Sequence, residues 1–198
     1  MVHKLAIVAV IGLSASAVCM GAAAAIGGRE FGSGFDGISL FDNDRPRCEN
    51  GGGYPTSRTL DWDGSDHVGL AVGGRATYTR GSDDQVHVSG NPMLVPHVRV
   101  RDGRIELDCR MGHNGARDLE ITLPGREFKK FGIAGSGNLV LQKLNQNRLK
   151  VSIAGSGGVK ANAKRTADVT IMGSGDVDVA GGAKCKISKA GSGNVRCS

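Results

Sequence analysis

The sequence predicts an all-β protein: a narrow parallel β-helix or β-roll with Gly-Ser-Gly corners, preceded by additional strands and hairpins. Three observations carry that prediction. Between Lys129 and Ser198 one phrase occurs four times, at Ile133-Ala134-Gly135-Ser136-Gly137, Ile153-Ala154-Gly155-Ser156-Gly157, Ile171-Met172-Gly173-Ser174-Gly175 and Lys189-Ala190-Gly191-Ser192-Gly193. Its first glycines lie 20, 18 and 18 residues apart, and a fixed period of that size marks stacked supersecondary units. Apolar residues fall in columns of period two on both sides of the glycines. Four before each stand Phe131, Val151, Val169 and Ile187, and four after stand Leu139, Val159, Val177 and Val195. Period two sends alternate side chains to opposite faces of a strand. Each repeat is therefore strand, bend, strand, and stacking buries the apolar face that a lone unit leaves open.

The corners follow from residue type. Gly135, Gly137, Gly155, Gly157, Gly173, Gly175, Gly191 and Gly193 permit positive φ and close backbone approach. Asn138, Gly158, Asp176 and Asn194 come next, and these types tolerate left-handed geometry. The chain holds 32 glycines but 5 prolines, which makes the glycine turn glycine, and its 4% aromatic content suits a coil too narrow for many rings.

At the N-terminus Met1-Val2-His3-Lys4 is a short basic start, Leu5 to Val18 is apolar, and Ala22 to Ala25 offers small-x-small cleavage sites. Residues 1–25 read as a secretory signal peptide, cut near Ala24 or Ala25. Gly12, Ser14 and Ser16 weaken the run as a membrane anchor, and Val18 is too bulky before Cys19 for a lipoprotein site. Residues 26–57 are rich in Gly, Asp, Asn and Pro and read as an irregular lead-in. Asp42-Asn43-Asp44 there lacks the glycine and distal glutamate of a calcium loop. One domain is expected over 58–198, with the repeats at 129–198.

That domain opens at Leu60-Asp61-Trp62. Strands are predicted at 67–72, 75–79, 85–88, 98–100, 104–107 and 118–123. Gly73-Gly74 reads as a turn, and Asp102-Gly103 between alternating segments is a hairpin signal. Cys48, Cys109, Cys185 and Cys197 remain after signal removal, an even number that implies two disulfides in an oxidising compartment. Of the three connectivities, Cys185–Cys197 is favoured because both fall in inward columns of the last rung. That leaves Cys48 with Cys109.

The segment Arg58-Thr59-Leu60-Asp61-Trp62-Asp63-Gly64, the stretch Gly81 to Pro92 with Val-Ser-Gly-Asn-Pro, and the Gly-Ser-Gly-[Asn/Asp]-Val rungs resemble the head GIN domain of autotransporter-adhesin-like proteins. The resemblance covers about Arg58 to Ser198. It implies a right-handed β-helix or β-roll. The family's name implies adhesion, but its motifs are structural and nearly silent on activity.

No catalytic, cofactor-binding or metal-ligating set stands out. A nucleophile elbow needs Gly-x-Ser-x-Gly on a strand-to-helix turn, whereas Ser136, Ser156, Ser174 and Ser192 sit in repeated β corners. Calcium needs several carboxylates, and only Asp176 and Asp178 flank the bends. His67, His87, His97 and His113 lie among many acids, with no two carboxylates singled out for glycoside hydrolysis. Trp62, Tyr54 and Tyr78 are few for a sugar-stacking cleft.

Charge is the clearest functional signal. From Arg126 onward 13 Lys or Arg oppose 4 Asp or Glu, whereas from Ile26 to Gly125 the numbers are 11 and 15. Lys150, Lys160, Lys164, Lys184 and Lys186 occupy outward positions and are expected to form a basic face. Such a face steers polyanions: in an envelope, acidic polysaccharide, lipopolysaccharide or anionic lipid. Absent stacking aromatics and export argue against nucleic acid. The leading expectation is a non-enzymatic exported binding or adhesion module, periplasmic, cell-surface or secreted. The rivals are an envelope carbohydrate-active enzyme and a structural protein assembling through the coil ends. Finally, the column Ile133, Ile153, Ile171 ends in Lys189. A lysine there suits only an open end, so Lys189 is expected to cap the last rung.

Overall fold

The computed structural model describes residues 46–48, 56–81, 83–110 and 118–198. The signal segment, most of the lead-in with Asp42-Asn43-Asp44, Tyr54 and His113 lie outside the described residues. What is described is a β-solenoid, with one 3-10 turn at Val95–His97 and no α-helix among the described residues.

The repeats build six strands: β8 (Lys130–Gly135), β9 (Asn138–Gly155), β10 (Gly158–Gly173), β11 (Asp176–Ala180), β12 (Lys184–Ala190) and β13 (Val195–Cys197). They pair in parallel and in the register that the glycine spacing dictates. Phe131, Val151, Val169 and Ile187 align, as do Leu139, Val159, Val177 and Val195. These columns are the interior, and every member before the last rung is buried. Each coil thus has two flat sheets, one running into the corner and one leaving it. A second bend falls at the register shifts around Ala163.

The two glycines of a corner serve different needs. Gly135, Gly155, Gly173 and Gly191 carry positive φ, between 108° and 132°. The second glycine is needed for space: a Cβ on Gly157 would strike the carbonyl oxygen of Gly137 and the side chain of Ile133. Asn138, Asp176 and Asn194 do not adopt the left-handed geometry their types tolerate; Asp102 is the one non-glycine with positive φ among the described residues. The first glycine has already turned the chain, and the Asp176 carboxylate instead accepts the Asn194 N–H of the next rung at 2.9 Å.

Seven strands precede the repeats: β1 (Ser57–Asp61), β2 (His67–Leu70), β3 (Arg75–Tyr78), β4 (Gln85–Gly90), β5 (Val98–Arg101), β6 (Arg104–Leu107) and β7 (Leu119–Leu123). Gly73-Gly74, expected as a turn, is a further corner of the coil. β2 stacks in parallel on β8 and β3 on the start of β9, with Val68 beside Phe131 and Ala76 beside Leu139. β6 and β7 stack in turn on β2 and β3. Antiparallel strands then close the stack, β5 on β6 through the Asp102-Gly103 turn, and β4 on β7 with β1 outside it. The rings among the described residues gather at this end. Phe128 meets Trp62, Tyr78 and Phe131 edge-on at centroid distances of 5.4, 6.4 and 6.0 Å. The disulfides are Cys48–Cys109 and Cys185–Cys197.

Candidate functional site

Each coil offers two outward faces, and the lysines divide between them. On the sheet entering the corner, position five before the first glycine gives the column His67, Lys130, Lys150, Asp168, Lys186. Beside it runs Arg148, Thr166, Lys184. Neighbouring strands lie about 4.8 Å apart, so Lys130, Arg148, Lys150, Lys184 and Lys186 crowd into two adjacent columns that hold one carboxylate, Asp168. On the other side of the Lys130 column runs Gly69, Gly132, Ser152, Thr170, Ser188, a track of small residues.

The sheet leaving the corner differs. Its first outward column is Arg75, Asn138, Gly158, Asp176, and its second is Thr77, Val140, Lys160, Asp178, Arg196. Its charges nearly balance. The expected single basic face of five lysines is therefore not continuous. Lys150, Lys184 and Lys186 share one face, Lys160 stands on the other, and Lys164 lies in the second bend. Lys130 and Arg148 join the basic columns unexpectedly, although counting back from Gly135 and Gly155 identifies them. A cavity of about 490 Å³ opens over the balanced face, around Gly158.

The residues that enzyme chemistry would draw on hold structure. Asp63 accepts the Gly103 and Ser65 N–H groups at 2.6 and 3.1 Å. Partial burial pushes its carboxyl up, but these hydrogen bonds outweigh that and leave it below the usual range. Asp66 is held low chiefly by the Lys129 ammonium at 2.7 Å, which is itself raised by the pair. Asp83 is held low by His87 at 2.7 Å and by the Gln85 N–H. His67 contacts the Asp102 carbonyl at 2.9 Å. Asp108 bridges His97 and Arg99 at 2.8 and 2.6 Å. His97, Asp108 and Cys109 place ligand atoms within 4.8 Å of one another, but the Cys109 sulfur is bonded to Cys48 and offers no thiolate. Trp62 donates to the Ser65 carbonyl and is buried, so it presents no stacking surface. Ser174 and Ser192 meet each other at 3.1 Å across the corner ladder.

At the last rung, β12 pairs only with β10 and β13 only with β11 among the described residues. Ile187 is 50% exposed although its column is interior elsewhere. Lys189 donates from Nζ to the Gly193 carbonyl at 2.8 Å.

The described residues thus form a β-solenoid with glycine corners, an antiparallel closure at one end and charged flat faces. Residues 66–198 match the family described as "Putative auto-transporter adhesin, head GIN domain", and the chain belongs to that family. No curated protein matches it. Among solved structures it is similar to a "putative adhesin" of Bacteroides fragilis, at 14% identity over 72% of this chain and 96% of that one, with a TM-score of 0.38. It is also similar to a "putative lipid binding protein" of Parabacteroides distasonis, at 16% identity over 75% and 98% of the two chains, with a TM-score of 0.31. A "putative adhesin" of Parabacteroides merdae is 12% identical over 75% and 98%, with a TM-score of 0.28.

Proposed function

We propose that the chain is a non-enzymatic, exported binding module of the bacterial envelope, contacting anionic polysaccharide through the sheet that enters the corners. The observation that carries the reading is the pair of in-register cation columns, Lys130, Lys150 and Lys186 beside Arg148 and Lys184. A rigid sheet holds them at fixed spacing. A polymer carrying one negative charge per unit then meets several cations at once, and long-range attraction speeds the encounter. Two disulfides fit an oxidising compartment, and the signal-like residues 1–25 supply a route to it.

Polygalacturonate, neutral dextran and phosphatidylglycerol vesicles separate the alternatives in a binding titration at rising salt. The expected result is polygalacturonate binding that weakens at least about tenfold from low to physiological ionic strength, with no binding of dextran through this face. Lys130→Glu with Lys186→Glu should abolish it. Equal binding by that double variant, or binding of vesicles alone, would overturn the polysaccharide reading.

A further inference from the structure

The cavity on the opposite face has a different chemistry. It lies where one rung lacks a side chain. The position after each Gly-Ser-Gly corner is Asn138, Asp176 and Asn194 in three repeats and Gly158 in the fourth. The missing side chain leaves a dent in the outward column, floored by Gly158 and by Val140. Around it stand Arg75, Lys160, Asp176 and Asp178. Among the described residues neither Arg75 nor Lys160 has an ion-pair partner, even though Lys160 is in register with Asp178.

We propose that this dent is a saccharide-binding subsite, independent of the polyanion face. The two carboxylates accept hydrogen bonds and repel a plain anion. The guanidinium and ammonium only donate and repel a plain cation. A ligand that satisfies both sets within a few ångströms must donate and accept at neighbouring positions. A hydroxyl does both, with one donor hydrogen and two acceptor lone pairs, so a neutral polyol ring answers the whole array. Val140 and the bare Gly157-Gly158 backbone provide a flat floor for the C–H face of a sugar ring. The cavity of about 490 Å³ lies within the range of small-molecule sites and has room for one or two sugar units.

Amide shifts of the intact ¹⁵N-labelled protein test the proposal, with cellobiose as the probe and glycine betaine and sodium sulfate as charged controls without a polyol. Cellobiose should give saturable shifts at Gly157, Gly158 and Lys160, with a Kd on the order of millimolar. Gly158→Asn restores the column's usual residue and fills the dent. Its Cβ would come within 2.7 Å of the Asn138 amide oxygen, the far end of a side chain that can swing aside, and would stand 3.8 Å from the Asn138 Cγ and the Asp176 carbonyl. The variant should melt like the parent and lose binding at least about tenfold. Asp178→Asn and Lys160→Ala, at outward positions, should each weaken binding and give an independent readout if Gly158→Asn folds poorly. Unsaturable or delocalised shifts would overturn the subsite. So would equal shifts with betaine or sulfate, or Gly158→Asn, Asp178→Asn and Lys160→Ala variants that bind like the parent.

Discussion

The two ends of the coil solve the same problem differently. A solenoid stacks rungs of identical shape, so each end leaves an apolar layer and a row of unpaired backbone groups. At the end that carries β5 and β6, the chain changes direction. Antiparallel strands β4, β1 and β5 cover the stack, Phe128 packs against Trp62 and Tyr78, and Cys48–Cys109 ties the closure. At the β12 and β13 end nothing changes direction. The interior columns simply reach the surface, where Ile187 is half exposed and Lys189 replaces isoleucine. Burial at a given column therefore depends on the rung above it, not on residue type. Val169 and Ile187 are neighbours in one column, 1% and 50% exposed. Val169→Asp should unfold the repeats, since an unpaired buried carboxylate costs on the order of 4 kcal/mol or more. Ile187→Asp should cost less than about 1 kcal/mol. Urea melts of both variants decide it, and equal losses would mean that the last rung is covered in solution.

The disulfides give the next contrast. Cys48–Cys109 spans 61 residues and Cys185–Cys197 spans 12. Chain entropy alone assigns about 4 kcal/mol to the first and about 3 kcal/mol to the second. Replacing both cysteines of the first pair by serine should lower the melting temperature more than the same change in the second. The reverse order would show that fraying of the open rung, not unfolded-chain entropy, dominates.

Much of this architecture was legible because the repeats announce it. Counting from each first glycine marks the interior columns and the corners and favours the Cys185–Cys197 pair, which the structure bonds. The β2–β3 rung does not announce itself in the same way. Val68-Gly69-Leu70-Ala71 parallels Phe131-Gly132-Ile133-Ala134 in sequence and in register, but Val72-Gly73-Gly74 stands where Gly135-Ser136-Gly137 does. The chain also visits rungs out of spatial order, going outward to β6 and β7 before returning to β8, and no local pattern encodes that. The lysines divide between two faces for a related reason. Period two separates inside from outside but not one sheet from the other. Lys150 stands five before Gly155 and Lys160 five after it, which is enough to put them on opposite faces.

Acid should probe the closed end selectively. Asp63, Asp66 and Asp83 all lie there, and each stays ionised to lower pH when folded than in the unfolded chain. A lowered folded value means the unfolded state binds more protons, so this stability is present above about pH 4 and is lost as pH falls below it. Asp63 joins the β1–β2 loop to the Asp102-Gly103 turn. Asp63→Asn should cost no more than about 1 kcal/mol at pH 7 and should flatten the stability loss as pH falls below about 4. An unchanged acid slope would remove Asp63 from the cause.

The smallest effect on stability, and the sharpest on behaviour, belongs to Lys189. In the three repeat rungs below it an isoleucine fills this column, and an ammonium there would be buried without a partner. At the open rung its stem lies over the layer while Nζ reaches the Gly193 carbonyl. Lys184 and Lys186 add charge along the same free edge, which disfavours edge-to-edge pairing. Lys189→Ile keeps the shape the column uses elsewhere, so the monomer should melt within about 1 kcal/mol of the parent. It also places a second isoleucine beside the exposed Ile187, on an end whose backbone is ready to pair with another chain. Self-association through that end should follow, rising with concentration in light scattering and suppressed when Ile187→Lys is added. At the closed end β5 is also an edge strand, pairing only with β6, but no half-exposed interior residue lies beside it among the described residues, so an equivalent apolar change at Arg101, outward on β5, should leave the protein monomeric. If Lys189→Ile stays monomeric wherever the parent does, the lysine is not what keeps the open end single.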